Sequence, residues 1–193
     1  MDGLIPRLMQ RRVWLGDILD NLSLGERPGV LLIVGPMGSG KSLLARDLAR
    51  ALEQRGQAAR RVDAAALYAD SLQSLKLEEL ADGDQVLATV QREPLQDLLA
   101  TSTQGWTIVH GAFLQQPWVL RLADRILHVY AALEVRARRV HGGALQDRYP
   151  RLDREWVLGP GALLSAELER RFPSEAIAHF RVCTDNLLGP ART

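Results

Sequence analysis

Cysteine and lysine are both scarce in this sequence of 193 residues. Its single cysteine, Cys183, cannot form an internal disulfide, and the lack of a disulfide framework leads us to expect a reducing, cytoplasmic location. Lysine occurs only at Lys41 and Lys76, whereas arginine supplies the other positive charges. Genomic base composition is the simplest explanation of this bias, but it draws attention to the position of Lys41.

Long apolar runs are also absent. No stretch approaches the ~20 residues of a membrane-spanning helix, and the N-terminal segment lacks the apolar core of a signal peptide. The formal net charge of +1 gives no overall attraction to nucleic acid or to a membrane surface. The composition, 47% hydrophobic and 24% charged, is ordinary for a globular protein, so we expect one domain over residues 1–193. The oligomeric state stays open.

Short apolar runs of strand length alternate with helical patterns along the chain. The predicted strands are residues 30–35, 59–64, 106–111, 125–131 and 180–184. The predicted helices are residues 7–22, 41–56, 71–80, 94–102, 117–123, 133–140, 161–172 and 174–180, with a turn at 81–84. This alternation predicts an α/β fold, a three-layer α/β/α sandwich around a mainly parallel, doubly wound sheet.

The first predicted strand leads into a glycine-rich loop. Its sequence GPMGSGKS, residues 35–42, matches the pattern G-x-x-x-x-G-K-[S/T] in full. Glycines let the backbone curl around an anion, the next helix directs its positive end there, Lys41 would neutralise phosphate oxygens, and the Ser42 hydroxyl would ligate Mg²⁺. A glycine-rich turn that only joins strand to helix is the alternative. The predicted phosphate-binding residues are Gly35, Pro36, Met37, Gly38, Ser39, Gly40, Lys41, Ser42 and Leu43.

Together with this loop, the order of the remaining motifs resembles the small P-loop kinases, especially the uridine kinase and phosphoribulokinase-like group. The resemblance covers residues 29–184. It implies ATP and Mg²⁺ as cofactors, and transfer of the γ-phosphoryl group to a hydroxyl of a small acceptor such as a nucleoside or a sugar phosphate. It also implies a lid-like insertion around residues 136–158, which includes the polar stretch 141–155.

The resemblance extends to VDAAALY, where the kinases carry an Asp and then an aromatic residue after the second strand. Asp63 and Tyr68 occupy these positions here, with a wider spacing. A carboxylate at the carboxyl end of a strand, beside the phosphates, can orient the attacking hydroxyl or take part in metal binding, so Asp63 is a catalytic and metal-site candidate. The alternative is that Asp63 only caps the following helix.

After the fourth strand, the kinases have an arginine-rich helix that leads into the lid. In LEVRARRV, Arg136 and Arg139 lie on one helical face, and at least one of them is expected to stabilise the transferring phosphoryl group. Arg148 is a further, uncertain candidate. A cationic helix face that is merely solvated is the alternative in a chain so rich in arginine.

The third strand departs from the kinase pattern. Its sequence WTIVHGAF places His110 where those kinases carry an acid, and an imidazole is a poor replacement because Mg²⁺ prefers oxygen ligands. Ser42, Asp63 and the nucleotide phosphates would then have to hold the metal. His110 would act as a general base, contact the acceptor, or be a half-buried histidine that a backbone carbonyl satisfies.

Two other functions compete with a kinase. A nucleotide-binding regulatory protein with little transfer activity is compatible with the missing acid at position 110. A motor or switch ATPase of the AAA type is less favoured, because those proteins usually carry two acids at the end of the third strand. A GTPase is disfavoured because the sequence has no N/T-K-x-D motif.

Overall fold

The computed structural model describes residues 14–24, 27–76, 78–100, 105–140, 154–173 and 178–185. Several sequence-based predictions lie wholly or partly outside this part of the chain. They are the start of the first helix, the polar insertion with Arg148, and most of the helix proposed at 174–180.

Five strands form one parallel sheet. They are β1 (Val30–Val34), β2 (Ala59–Asp63), β3 (Trp106–His110), β4 (Arg125–Tyr130) and β5 (Phe180–Cys183). The order across the sheet is β2-β3-β1-β4-β5, and each neighbouring pair is parallel. The predicted three-layer α/β/α fold is therefore confirmed. The carboxyl ends of all five strands lie at the same edge of the sheet, and β1 is the central strand.

Nine helical segments lie between and around the strands of the described chain. They are α1 (14–21), α2 (Lys41–Gln54), α3 (Ala65–Ser74), α4 (Gly83–Ala88), α5 (Arg92–Ala100), α6 (Pro117–Leu120), α7 (Leu133–Val140), α8 (Arg154–Leu158) and α9 (Pro160–Arg171). A 3-10 turn, Glu79–Ala81, joins α3 to α4.

Two boundaries differ most from the sequence-based prediction, and helix α8 was not predicted. The helix expected at 71–80 begins earlier, as α3, and the turn expected at 81–84 contains the start of α4. The side chain of Asp82 accepts hydrogen bonds from the backbone N–H groups of Asp84 and Gln85, which satisfies the first free donors of a short helix. The sequence-based prediction of a turn did not take this capping residue into account.

The sheet separates two apolar clusters. On one face, α1 and α2 pack against the sheet through residues such as Ile18 and Leu48, which are fully buried. The other face is covered by α3 to α9 and includes Leu32 and Trp156. Each fully buried leucine or isoleucine contributes roughly 1.5–3 kcal/mol relative to an exposed one, so both layers are firmly attached to the sheet.

Strand alternation decides which face each functional side chain occupies. On β3, His110 has the same parity as Ile108 and therefore faces α2, while on β4 His128 has the parity of Ile126 and faces the opposite layer. Both histidines are buried. His110 and His128 thus lie on opposite faces of the sheet, one on each side of the glycine-rich loop that follows β1.

Within the described ranges, no helix is both long enough and apolar enough to span a bilayer.

Candidate nucleotide site and the adjoining cavity

The glycine-rich loop runs from the end of β1 to the first residue of α2. Gly35, Gly38 and Gly40 have φ angles of 135°, 76° and 93°, which side-chain-bearing residues rarely adopt. A Cβ atom on Gly35 would also lie 2.0 Å from the carbonyl oxygen of Val129. Both constraints require glycine, and they give the loop the curled path that directs amide hydrogens toward a bound anion.

The N-terminus of α2 leaves its own amides available to such an anion. Gly40 precedes the helix, and no side chain caps its first turn. The free N–H groups and the positive end of a helix of 14 residues therefore point toward the loop. A phosphate site requires such an arrangement of free amides and helix dipole.

Lys41 is buried within the loop. Its Nζ donates hydrogen bonds to the carbonyl oxygens of Gly35 and Pro36, at 2.9 and 2.7 Å. Burial, reinforced by the positive charge of Arg136 and opposed by Asp63, lowers the pKa of Lys41 to about 7. A negative phosphate in the loop would remove this penalty, so the ammonium group is placed to respond to the charge of a nucleotide.

Ser42, His110 and Asp63 come together on the α2 side of the sheet. The hydroxyl oxygen of Ser42 lies 3.3 Å from Nδ1 of His110, and Oδ1 of Asp63 lies 3.8 Å from the same nitrogen. The register of the β2–β3 pair sets Asp63 beside His110. Oδ1 of Asp63 also accepts a hydrogen bond from the N–H of Ala65, at 3.2 Å, so this carboxylate does cap the next helix.

The same residues can be tested against a magnesium ion. The Ser42 hydroxyl and the Asp63 carboxylate are oxygen donors, which suit a hard cation, and both lie close to Nδ1 of His110. The described residues contain no group of three or more His, Cys, Asp or Glu side chains able to hold a metal ion. The fit is therefore to Mg²⁺ that takes its other ligands from phosphate and water, as Mg²⁺ commonly does.

The two candidate arginines of α7 have different surroundings. Arg139 donates to the carbonyl oxygen of Gly38 and to both the hydroxyl and the carbonyl of Thr184. The hydroxyl of Thr184 in turn donates to the carbonyl of Ser39, at 2.7 Å. Arg139 thus supports the backbone of the loop, and Thr184 belongs to the same support.

Arg136 is buried, and no hydrogen bond from its guanidinium group to another described residue is seen. Its Nε has no hydrogen-bond partner among the described residues, and burial lowers the pKa of its guanidinium group. Its backbone packs directly on the loop, because a Cβ on Gly38 would lie 2.8 Å from the Arg136 carbonyl oxygen. Of the two arginines, Arg136 is therefore the one whose charge is available to a ligand.

A cavity of about 280 Å³ opens beside the loop at Gly35–Met37. It lies between the carboxyl ends of β3 and β4 and the helices α7, α8 and α9. Its polar lining side chains are those of Gln115, His128, Tyr130, Arg136, Ser165 and Glu169. Except for Arg136, sequence reasoning missed these residues, and Asp63 is not among those that line the cavity.

One signal for His128 was present in the sequence. It is a polar residue near the carboxyl end of RILHVY, an otherwise apolar strand, which is where parallel sheets bind ligands. Tyr68 has a supporting role on the other side: its hydroxyl donates to the carbonyl of Ala112, at 2.5 Å, and fixes the chain after β3.

Comparison with known families and structures places this loop in context. The family model of the AAA ATPase domain matches residues 14–184, nearly the whole chain. No curated protein matches the sequence significantly. The sequence analysis disfavoured an ATPase of the AAA type because two acids are missing at the end of β3. The family match corrects that inference. A pair of residues at one strand end is a weaker criterion than the pattern of the whole domain.

Solved structures with the same fold include three named as kinases. Shikimate kinase from Acinetobacter baumannii is 18% identical and covers 81% of this chain and 84% of its own, with a TM-score of 0.54. A putative fructose transport system kinase from Silicibacter is 18% identical (88% and 97% covered, TM-score 0.55). A possible uridine kinase from Bacillus stearothermophilus is 14% identical (89% and 98% covered, TM-score 0.57). At these identities the likeness concerns the fold.

The resemblance to small P-loop kinases is confirmed at this level, because the parallel sheet and its flanking helices match theirs. The domain-wide family match and the loop geometry agree with it. The chain belongs to the AAA ATPase domain family and is a P-loop NTPase with a kinase-like fold.

Proposed function

We propose that this protein is an ATP-dependent phosphotransferase that moves the γ-phosphoryl group to a hydroxyl of a small molecule. One observation carries the proposal: a cavity with several polar side chains adjoins the loop, and its lining includes a buried arginine whose Nε has no partner among the described residues. Hydrolysis or regulatory binding needs only the nucleotide site. A second compartment against the same loop is what a transfer reaction needs for its acceptor.

The nucleotide would be held by residues 35–43. The curled backbone and the start of α2 would bind the phosphates, and Lys41 would leave the carbonyls of Gly35 and Pro36 to neutralise the β- and γ-phosphate oxygens. Breaking these two hydrogen bonds is favoured by the much stronger attraction of a buried cation to a phosphate anion.

Ser42 and Asp63 would hold Mg²⁺ together with phosphate oxygens and water. When bound, the ion supplies neutralisation of charge between the β- and γ-phosphates. The Ser42 hydroxyl would exchange its contact with His110 for this role. Asp63, at the end of β2, would bind a metal-bound water.

The transfer itself forms one P–O bond and breaks another. The acceptor hydroxyl oxygen attacks the γ-phosphorus, the bond between that phosphorus and the β–γ bridging oxygen breaks, and ADP leaves with that electron pair. The hydroxyl proton passes to a nearby base or to water. Arg136, buried beside the loop, would stabilise the charge on the transferring group.

The lid and the location belong to the same proposal. Residues 136–158 would form the lid, with Arg148 as a further phosphate contact and residues 1–193 as one domain. The protein would work in the cytoplasm, where its free and exposed thiol, Cys183, stays reduced.

A nucleotide-binding protein with little transfer activity is the alternative, and His110 favours it. A buried imidazole lies between the two oxygen groups that should hold the metal, where a carboxylate would normally assist them. Binding of the phosphates by residues 35–43 would not require residue 110, whereas metal-assisted transfer would depend on it.

The test is to incubate the protein with ATP, Mg²⁺ and single acceptors, and to follow ADP together with the phosphorylated acceptor by mass spectrometry. ADP formed in equal amounts with a phosphorylated acceptor supports the proposal. Equal ADP formation with and without acceptor would indicate an ATPase instead. Tight ATP binding with no ADP under any condition would favour the regulatory alternative.

A further inference from the structure

Three buried side chains that line the cavity each carry a polar atom without a hydrogen-bond partner among the described residues. The atoms are Oε1 of Gln115, Nδ1 of His128 and Nε of Arg136, on side chains whose residues are 8%, 5% and 9% exposed. Buried polar groups are normally paired, since leaving one unpaired is costly. Three such atoms around one cavity indicate that a ligand completes their hydrogen bonds.

The three atoms differ in what they require. Nε–H of Arg136 is a donor and needs an oxygen, whereas Oε1 of Gln115 is an acceptor and needs an O–H or N–H group. Nδ1 of His128 takes either role, depending on the tautomer. A hydroxyl group both donates and accepts, so a ligand with several hydroxyls would satisfy all three atoms.

The charges of the cavity are balanced. Arg136 contributes a positive charge and Glu169 a negative one, and both line the same space. Burial lowers the pKa of His128, despite the attraction of Glu169, so this ring adds no charge at neutral pH. A lining with one charge of each sign does not select for a strongly anionic ligand.

The walls are apolar and partly aromatic. Phe113 has a φ of 63°, uncommon for a residue with a bulky side chain, in the segment that leads from β3 to the cavity. The ring of Trp156 packs against Gly161, where a Cβ would lie 2.4 Å from it. Rigid aromatic groups beside polar atoms suit a compact ring with polar edges and apolar faces.

We propose that this cavity is the acceptor site and that it takes an uncharged, one-ring polyhydroxylated compound, such as a monosaccharide or a cyclic polyol. The volume of about 280 Å³ is at the small end for ligand pockets, which fits one ring and its hydroxyls. As an acceptor assignment, this inference rests on the proposed phosphoryl transfer. The hydroxyl nearest the loop would be the one that accepts the phosphoryl group.

The test is calorimetric titration of the full chain with glucose, fructose, ribose and myo-inositol, each in the presence and absence of ADP. Uridine and glucose 6-phosphate serve as comparison ligands. Gln115→Met and His128→Leu remove two of the unpartnered atoms at similar volume. Each variant should weaken binding of the neutral polyol by about tenfold and keep the ADP affinity.

Thermal unfolding separates a binding role from a structural one. Removing a buried polar atom that has no partner should leave the midpoint temperature of unfolding unchanged or raise it. Replacing a residue with a structural role would lower that temperature. The matched control is Gln85→Met on α4, an exposed residue outside the cavity, which should change neither binding nor stability.

The outcomes are distinguishable. The inference is overturned if no neutral polyol binds, if binding is equal in both cavity variants, or if only uridine or glucose 6-phosphate binds. Phosphorylation of one of the latter would keep the transferase proposal and overturn the acceptor class. A polyol that binds through Gln115 and His128 but is never phosphorylated would uphold the binding site and count against phosphoryl transfer.

Discussion

The hydroxyl oxygen of Ser42 lies 3.3 Å from Nδ1 of His110, at the position where the loop motif expects a ligand for magnesium. The imidazole therefore competes with the metal for the serine hydroxyl. It also lies 3.8 Å from the Asp63 carboxylate, so a single side chain contacts both oxygen groups of the proposed metal position. The chemistry of residue 110 should thus govern how strongly the protein depends on Mg²⁺.

Replacing His110 with glutamate should strengthen metal binding. The variant adds a carboxylate oxygen beside Ser42 and Asp63, and hard cations prefer such ligands. We expect the Mg²⁺ concentration that gives half-maximal nucleotide binding or transfer to fall by about tenfold. A titration with Mg²⁺ at fixed ATP measures this change, and His110→Gln is the neutral control of similar size.

The metal-free stability of the glutamate variant gives a second readout. Two carboxylates at this distance repel each other, so its unfolding midpoint without Mg²⁺ should fall and should recover when Mg²⁺ is added. An unchanged Mg²⁺ requirement together with an unchanged midpoint would show that residue 110 is remote from the metal.

Lys41 should make nucleotide binding dependent on pH. Its pKa of about 7 in the free protein means that it is largely uncharged at higher pH, and bound phosphates would raise this pKa. Binding above pH ~7 must then take up a proton, and by linkage the affinity must decrease as the pH rises toward ~9. Titration with ADP at pH ~8.5, where its phosphates are fully ionised, in two buffers of different ionisation enthalpy measures this uptake.

Variants at the two lysines provide the control for proton uptake. Lys41→Met should bind ADP weakly and without proton uptake, while Lys76→Met, which removes the other lysine of the sequence, should behave like the unmodified protein. Uptake that persists in Lys41→Met would assign the proton to a different group.

Asp63→Asn should separate transfer from binding. The asparagine side chain still accepts the hydrogen bond from the N–H of Ala65 and keeps the capping role, but it lacks the charge that the metal site needs. Transfer should fall by about 10²–10⁴-fold with little change in ADP affinity. Measurement of kcat and of ADP binding on the same preparation tests this separation.

Asp82→Asn is the matched control for this variant, because Asp82 also caps a helix, α4, but lies outside the nucleotide site. It should leave kcat unchanged. Equal losses of kcat in the two variants would mean that Asp63 acts only through the stability of its helix.

The fold and the phosphate loop could be predicted because their signals are local. Continuous apolar runs indicated the buried strands, and the motif of residues 35–42 carried its own reasons for each residue type. Helix α4 was missed because six residues give no clear period, and only the capping side chain of Asp82 marks its start.

The cavity could not be predicted in the same way. Gln115 follows β3, His128 lies in β4 and Glu169 belongs to α9, so only the packing of the α9 layer on the sheet brings them together. From the sequence, Arg136 and Arg139 were equal candidates for contact with the phosphoryl group, since both lie on one helical face. Their partners in the folded chain distinguish them, and those partners come from distant segments.

Arg136 and Arg139, one helical turn apart, should respond to the same substitution in opposite ways. Arg139→Met removes hydrogen bonds to Gly38 and Thr184, and should lower the free energy of unfolding by about 1–3 kcal/mol and weaken nucleotide binding by loosening the loop. Arg136→Met replaces a buried cation whose Nε is unpartnered, and should preserve or raise stability while kcat falls by about 10²–10³-fold. Urea unfolding and steady-state kinetics on both variants measure the free energy of unfolding and kcat, and so test these two roles. A large stability loss in Arg136→Met with normal kcat would reverse the two assignments, because it would make Arg136 the structural arginine and leave Arg139 to the phosphoryl group.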